Sequence, residues 1–253
     1  MSSCGAIARA VAGTRAFSDA ALALFIAPVC AACREPLSSP TLGAVCERCW
    51  SSIHPFVPPC CVTCGDALPS WRIISVSQAL CARCRRSPSL ISAAAAIGPY
   101  EGTLKIILQA LKYDSRTSLA RPLGERLRVS AARVLQRADA VVPVPLHRSR
   151  HRKRGFNQAR ELAKHLGLPV LDALVRSRAT CSQADLPASR RHANVREAFA
   201  VRRGADVRRL TLVIVDDVST TGATLNACAR PLLDAGAAEV RAVTAAKTLT
   251  PTP

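Results

Sequence analysis

Residues 212–225 read LVIVDDVSTTGATL, and this stretch decides the fold of the chain around it. Its first four residues are all apolar, which is typical of a strand buried on both faces of a parallel sheet. Asp216 and Asp217 follow where the apolar run ends, and a turn rich in Ser, Thr and Gly comes next. The pattern predicts a buried strand, a polar turn and then the N-terminus of a helix.

The turn after this strand has the features of an anion site. Ligands of parallel sheets bind beyond the carboxyl ends of the strands, and a helix N-terminus offers backbone N–H groups and a favourable dipole to an anion. Gly222 lets the backbone approach a ligand closely. Because two carboxylates would repel a phosphate at short range, we expect a ligand that carries hydroxyl groups beside its phosphate. A phosphorylated ribose meets this condition, with its phosphate on the amides and its 2' and 3' hydroxyls on the carboxylates.

The C-terminal two thirds of the chain alternates between strand and helix signals. Apolar runs and 3.6-residue periodicity predict strands within residues 91–100, 138–146, 209–217 and 238–249, and helices within 101–113, 119–136 and 221–235. The basic segment at residues 147–167 is predicted to begin as a loop and to become a helix by about Asn157. Residues 176–199 lack a clear signal, so we expect a mobile excursion there. The alternation predicts an α/β fold with a mainly parallel sheet flanked by helices.

The cysteines predict two metal sites ahead of this α/β part. Eight of the twelve cysteines form four CxxC pairs, and the pairs combine into two sets of four: Cys30, Cys33, Cys46 and Cys49, then Cys61, Cys64, Cys81 and Cys84. Two residues between thiolates allow a tight turn to direct both sulfurs at one ion, and this spacing is typical of structural zinc sites. Cys60 competes with Cys61 as a ligand. A disulfide framework or a single redox CxxC fits the doubled pattern less well.

Charge and length set the remaining limits. The 253 residues include 35 Lys and Arg against 17 Asp and Glu, a formal charge of +18, so polyanionic partners are favoured over a merely solvated basic surface. Residues 1–27 have apolar positions at helical spacing but too short a span for a bilayer. We therefore predict an N-terminal amphipathic helix at 1–27, a double zinc-ribbon domain at 28–86 and the α/β domain at 87–253, in a cytoplasmic protein without a membrane span.

Several motifs together resemble a known family. VIVDDVSTTGAT at 213–224 looks like the phosphoribosyl pyrophosphate loop of type I phosphoribosyltransferases. Within that superfamily, VPVPLHRSRHRKRGFNQARELA at 142–163, LKY at 111–113 and the two CxxC sets resemble the ComF family, bacterial proteins linked to the uptake or use of external DNA. The likeness runs from about Cys30 to Thr248, and its motifs stand in the family's order.

The resemblance implies roles for particular residues. The ligand would be phosphoribosyl pyrophosphate with Mg²⁺, bound by Asp216, Asp217, Ser219, Thr220, Thr221, Gly222, Ala223 and Thr224. The pyrophosphate loop would be formed by Pro143, Val144, Pro145 and Leu146, whose amides would meet the pyrophosphate together with a nearby cation. Phosphate or DNA contacts would come from Arg148, Arg152, Lys153, Arg154, Arg190 and Arg191, the last two on a flexible lid over the substrate. Partners would include single-stranded DNA and other DNA-uptake proteins.

One departure from the family pattern leaves the activity open. Some base-transferring members have Asp at the position that matches Thr220, and a hydroxyl is a poor general base at neutral pH. The sequence therefore assigns no catalytic residue. Three functions remain: a DNA-uptake or DNA-utilisation protein that binds a phosphoribosylated ligand, an active phosphoribosyltransferase with an unknown acceptor base, and a regulator that senses phosphoribosyl pyrophosphate without turnover.

Overall fold

The computed structural model describes residues 28–68, 79–114, 116–176 and 198–249. The predicted N-terminal helix at residues 1–27 and the predicted lid with Arg190 and Arg191 lie outside these ranges.

A four-stranded parallel sheet organises the α/β part. The strands of the described chain are β1 (Ala94–Pro99), β2 (Ala140–Pro143), β3 (Leu174–Arg176), β4 (Phe199–Val201), β5 (Thr211–Ser219) and β6 (Glu239–Lys247). The sheet has the order β1-β6-β5-β2, and every neighbouring pair in it is parallel. Since Pro143 pairs with Val215, the carboxyl ends of β2 and β5 lie side by side.

Helices cover both faces of this sheet. The α-helices of the described chain are α1 (Glu47–Ser51), α2 (Ala82–Arg86), α3 (Gly102–Tyr113), α4 (Ala120–Ser130), α5 (Ala132–Leu135), α6 (Arg148–Arg154), α7 (Gln158–Ala163) and α8 (Ala223–Asp234), with 3₁₀ turns at Pro40–Leu42 and Thr117–Leu119. Along β5, Val213 and Val215 face the core beneath α3 and α4, whereas Leu212 and Ile214 face the core beneath α8. Burial on both faces explains why this strand is apolar without interruption.

The sequence predictions differ from the structure in three places. β5 extends to Ser219, two residues beyond the predicted end at Asp217. The basic segment predicted as loop forms α6, and Gly155, with a positive φ of 78°, caps its C-terminus. The helix predicted to start at about Asn157 is α7, for which Asn157 is the N-cap residue. Third, a short antiparallel pair, β3 and β4, flanks the predicted excursion. These strands were not predicted, because three residues are too few to show a periodic pattern.

The two four-cysteine sets lie against different parts of the α/β unit. In the first set, Cys30 and Cys49 are buried in the same apolar core as α3 and α4. In the second, the turn at Gly65 packs on β1, where a side chain at Gly65 would meet the Ala94 carbonyl oxygen at 3.1 Å. We propose that the boundary between the double zinc-ribbon domain and the α/β domain lies near residue 86.

The helices of the described ranges include none with both the length and the apolar composition needed to cross a membrane.

Candidate functional site

The eight predicted metal ligands converge into two four-thiol groups. In each group the four Sγ atoms lie within 4.8 Å of one another. The Cys33 and Cys46 sulfurs are 3.8 Å apart, and the Cys64 and Cys81 sulfurs are 3.6 Å apart. A tetrahedral zinc ion with Zn–S bonds of about 2.3 Å would place its sulfurs about 3.8 Å apart, so both groups fit zinc.

Local backbone geometry supports a thiolate at Cys30, and the position of the sulfur atoms settles the choice between Cys60 and Cys61. The N–H groups of Ala32 and Cys46 donate to the Cys30 Sγ at 3.4 and 3.3 Å. Burial opposes ionisation of Cys30, but these hydrogen bonds outweigh it and lower the pKa of Cys30 to about 6. Cys61 belongs to the second group, whereas the Cys60 thiol points to the Val57 carbonyl at 3.5 Å.

The second candidate site lies at the carboxyl end of β5, where Asp216 and Asp217 differ in their surroundings. Lys112, from the last turn of α3, places its Nζ 2.9 Å from the Asp217 Oδ2, and both side chains are largely buried. Burial alone would lower the pKa of Lys112, but the charge and hydrogen bond of Asp217 outweigh it and raise this pKa. Lys112 therefore stays charged beside the acid.

The surroundings of the Asp216 carboxyl group raise its pKa. Desolvation and the negative charge of Asp217 raise the pKa of Asp216 to about 7, against the opposing hydrogen bond from the Asp217 N–H and the positive charges of Lys112 and Arg176. That hydrogen bond joins the Asp217 N–H to the Asp216 Oδ1 at 2.8 Å. Two adjacent acids in a partly desolvated edge thus create a site where an added cation is favourable.

The turn at residues 219–224 lies at the surface and not in the interior. With Asp216 it lines a small concave pocket, and Thr220 is exposed. Gly222 adopts a φ of 77°, a left-handed conformation that favours glycine at the start of α8. Within the described chain, the backbone N–H groups of Thr220, Thr221 and Gly222 donate to no protein acceptor. These amides are available to an anion.

The predicted pyrophosphate loop, residues 143–146, lies beside this turn because β2 pairs with β5. Pro143 and Pro145 have no N–H group, and the Val144 N–H donates to the Val215 carbonyl at 2.9 Å. The Asn157 side-chain amide donates a hydrogen bond to the Val144 carbonyl at 2.9 Å. Of the four residues, only Leu146 therefore retains a free amide. The loop does not offer the several backbone donors that the sequence led us to expect. Cations must therefore supply more of any contact to pyrophosphate.

Cations line a cavity of about 210 Å³ beside the Lys112–Asp217 ion pair. Its lining consists of an exposed aromatic ring and four basic residues: Tyr113, Lys112, Arg150, Lys153 and Arg154. The Arg154 guanidinium lies 5.3 Å from the centre of the Tyr113 ring. No acid lines this cavity, so its charge favours an anionic ligand.

Sequence reasoning assigned only part of this cation cluster. It named Lys153 and Arg154 but missed Lys112 and Arg150, although the LKY motif at 111–113 contained the signal. Arg148 and Arg152 are exposed on α6 and do not line the cavity. Arg176, at the end of β3, was also missed; its guanidinium stacks on the Phe199 ring at 5.3 Å, and its charge acts on Asp216.

The acids at this edge fit Mg²⁺ only together with a ligand. Mg²⁺ is usually bound through one or two carboxylates and substrate phosphates, with water completing the octahedron. Asp216 and Asp217 supply two carboxylates, and the only groups of three or more candidate ligands in the described chain are the two cysteine sets. The edge is therefore suited to a metal that arrives with a phosphorylated ligand.

Comparison with known proteins identifies both parts of the chain. A family model described as a double zinc ribbon domain matches residues 21–85, and one described as a phosphoribosyl transferase domain matches residues 152–252. The DNA utilization protein YhgH of Salmonella typhimurium is 34% identical over 236 residues, 89% of this chain and 100% of that protein. Competence protein F of Haemophilus influenzae is 31% identical over 226 residues, 84% of this chain and 93% of that protein. Among solved structures, the glutamine phosphoribosylpyrophosphate amidotransferase of B. subtilis is 24% identical over 54% of this chain and 30% of that chain, with a TM-score of 0.37.

The matches define a phosphoribosyltransferase-type α/β domain preceded by a double zinc ribbon. The chain is more than 30% identical to these two relatives over nearly their full length, and it therefore belongs to the ComF family. The predicted resemblance, the predicted fold class and the predicted pair of structural zinc sites are thereby confirmed.

Proposed function

We propose that the protein binds phosphoribosyl pyrophosphate together with Mg²⁺ at the carboxyl edge of β5. One observation carries this proposal: two acids and a turn with free amides stand at one edge, and one of these acids pairs with Lys112, which belongs to a cavity lined by cations. The 5-phosphate would lie at the turn of residues 219–224 and meet the free amides of Thr220, Thr221 and Gly222. Asp216 and Asp217 would accept hydrogen bonds from the ribose hydroxyls. Mg²⁺ would neutralise the pyrophosphate while Lys112 and Arg150 supply further positive charge.

We further propose a role in DNA uptake or utilisation, in the cytoplasm, with contacts to single-stranded DNA. Support comes from the relatives, which include a DNA utilization protein and a competence protein, and from the basic residues on α6. Arg148, Arg152 and Lys153 are exposed there and form no ion pair with another described residue. Phosphate contacts by such residues release counterions, so the affinity for DNA should depend strongly on salt.

Calorimetric titration of phosphoribosyl pyrophosphate with Mg²⁺ tests the ligand. The double variant Asp216→Asn, Asp217→Asn should lose binding, because neutral amides cannot replace two acids at a metal-assisted site. Asp234→Asn, an exposed acid at the far end of α8, is the matched control and should bind as the wild type does. Unchanged affinity in the double variant refutes the assignment.

The DNA role has its own test. Fluorescence anisotropy with a labelled oligo-dT strand should show affinity that falls steeply between 50 and 200 mM salt, by about tenfold or more. The triple variant Arg148→Gln, Arg152→Gln, Lys153→Gln should bind more weakly and with a shallower salt slope. A flat salt response of the wild type, or no binding at low salt, rejects the DNA role and leaves the sugar-phosphate proposal untouched.

The second candidate is an active phosphoribosyltransferase with an unknown acceptor base. The observation in its favour is Asp216, because a carboxyl group whose pKa is raised to about 7 can exchange a proton near neutral pH. Incubation with phosphoribosyl pyrophosphate, Mg²⁺ and a panel of nucleobases, followed by an assay for released pyrophosphate, decides between binding and turnover. Base-dependent release that Asp216→Asn abolishes supports catalysis, and its absence with every base leaves the binding function alone.

A further inference from the structure

Lys112 connects the acids at the carboxyl edge of β5 with the cation-lined cavity. It stands in the last turn of α3, between Leu111, which is buried in the core, and Tyr113, which is exposed. Its Nζ lies 2.9 Å from the Asp217 Oδ2, and the same side chain lines the cavity together with Arg150. One ammonium group therefore belongs to both parts of the edge.

The ion pair between Lys112 and Asp217 is sheltered from water. The two side chains are only 13% and 14% exposed. The Lys112 Nζ also lies 5.9 Å from the centre of the Tyr100 ring, within the range of a favourable cation–π contact. Solvent and salt screen a sheltered pair much less than a surface pair, so the ammonium group is a strong counter-charge for this carboxylate.

This counter-charge acts against a divalent metal at the same acids. A metal that binds Asp216 and Asp217 competes with the Lys112 ammonium group for the Asp217 carboxylate and is repelled by its charge. Mg²⁺ gives up its water reluctantly and is usually held by few protein carboxylates together with substrate phosphates. A metal that arrives with pyrophosphate also brings negative charge, which can take up the displaced ammonium group. Lys112 therefore opposes the metal alone more than it opposes the metal with its ligand.

We propose that Lys112 is an internal counter-ion that keeps a divalent metal from binding to Asp216 and Asp217 by itself, so that metal binding depends on the phosphoribosyl ligand. This regulation of the edge rests on the function proposed for it above. When metal and ligand bind together, the metal neutralises Asp217, and Lys112 contributes its charge to the cavity that it already lines.

The test measures the affinity for a metal without the ligand. The full-length, zinc-loaded protein is titrated with Mn²⁺, which like Mg²⁺ prefers oxygen ligands, and free Mn²⁺ is followed by electron paramagnetic resonance. Lys112→Met should bind Mn²⁺ at least about tenfold more tightly than the wild type, because Asp217 loses its counter-charge. The same variant should bind phosphoribosyl pyrophosphate with Mg²⁺ at least about tenfold more weakly, because the cavity loses a cation. A merely structural role of Lys112 would not move the two affinities in opposite directions.

Three further variants separate the counter-ion from a general effect of charge. Lys105→Met is the matched control, since Lys105 lies on the same helix with its Nζ 6.0 Å from the centre of the Tyr100 ring but is exposed. It should change the Mn²⁺ affinity less than about twofold. Lys112→Arg keeps the charge and should bind Mn²⁺ as weakly as the wild type. Adding Asp217→Asn to Lys112→Met should abolish the gain in Mn²⁺ affinity.

The proposal is overturned by equal Mn²⁺ affinity in the wild type and Lys112→Met, or by an equal gain in Lys105→Met. Wild-type protein that binds Mn²⁺ at micromolar concentration without the ligand also overturns it, and this result does not depend on whether Lys112→Met folds. If Lys112→Met gains Mn²⁺ affinity through Asp217 while the wild type fails to bind phosphoribosyl pyrophosphate, the counter-ion is upheld and only the ligand proposed for the edge is rejected.

Discussion

The two zinc ribbons are joined to the α/β domain by different kinds of contact. The first ribbon is an extension of the apolar core: Cys30 is fully buried beside residues of α3 and α4, and the Trp50 ring stacks on the Arg126 guanidinium at 4.4 Å. The second ribbon contacts the sheet through a buried ion pair between Lys247 of β6 and Asp66, and through the turn at Gly65, which packs on β1. Apolar packing therefore fixes the first ribbon, whereas a buried ion pair contributes to fixing the second ribbon at the carboxyl edge of the sheet.

The largest expected difference concerns loss of one zinc ligand in each ribbon. Cys30→Ser should destabilise the whole chain by about 5 kcal/mol or more, because the first ribbon shares its core with the sheet helices. The matched change Cys61→Ser, at an equally buried ligand, should also release one zinc ion but leave the α/β unit folded. Metal analysis and urea unfolding check both variants, and equal losses of unfolding free energy would remove the distinction between the ribbons.

A smaller effect is expected from Lys247→Met. Removing one cation from a buried charge cluster should lower the free energy of unfolding by about 3 kcal/mol, because the Asp66 carboxylate stays desolvated. Lys164→Met is the control: its pair with Glu161 is partly exposed and should be worth less than about 1 kcal/mol. Adding Asp66→Asn to Lys247→Met should restore part of the loss in urea unfolding. If the two lysine variants are equally stable, charge does not hold the second ribbon.

Two glycines allow a comparison of backbone packing. A side chain at Gly98 would meet the His54 carbonyl oxygen of the first ribbon segment at close range, so Gly98→Ala should cost about 2 kcal/mol in thermal or urea unfolding. Gly65→Ala in the second ribbon should cost about 1–2 kcal/mol, because Gly65 adopts a φ of 74°. If Gly98→Ala leaves the free energy of unfolding unchanged, the first ribbon can shift away from β1.

The smallest effect concerns the charge of Asp216 and its dependence on pH. A carboxyl pKa raised to about 7 means that the folded chain binds this proton more tightly than the unfolded chain does, so Asp216 lowers stability as the pH rises from about 4 to 7. Asp216→Asn should therefore stabilise the ligand-free protein at pH 8 and stabilise it less at pH 5. Urea unfolding at both pH values measures this, and stabilisation that is equal at pH 5 and pH 8 contradicts the charged-edge account.

The parts of this structure with strong periodic or spacing signals could be predicted from sequence. The apolar run at 212–215 identified β5, and Leu104, Ile107, Leu108 and Leu111 identified the buried face of α3. The CxxC spacing identified both four-thiol groups, since a knuckle turn needs only local sequence. The α/β fold class followed from the alternation of these signals.

Contacts between distant segments could not be predicted in the same way. Lys112 ends a helix roughly one hundred residues before Asp217, and no local pattern shows that the two side chains meet. Lys247 would be expected on the surface from its residue type, yet it is buried because Asp66 supplies a counter-charge from the zinc ribbon. Charges with tertiary partners therefore escaped the sequence reasoning, although they shape the carboxyl edge of the sheet.

The most direct test of the central claim is a crystal of the zinc-loaded protein soaked with phosphoribosyl pyrophosphate and Mg²⁺. We predict electron density for the 5-phosphate on the amides of residues 220–224, ribose hydroxyls within hydrogen-bond distance of Asp216 and Asp217, and pyrophosphate beside Lys112. Density for the ligand elsewhere, or an empty β5 edge in crystals of protein that binds the ligand in solution, would contradict the account.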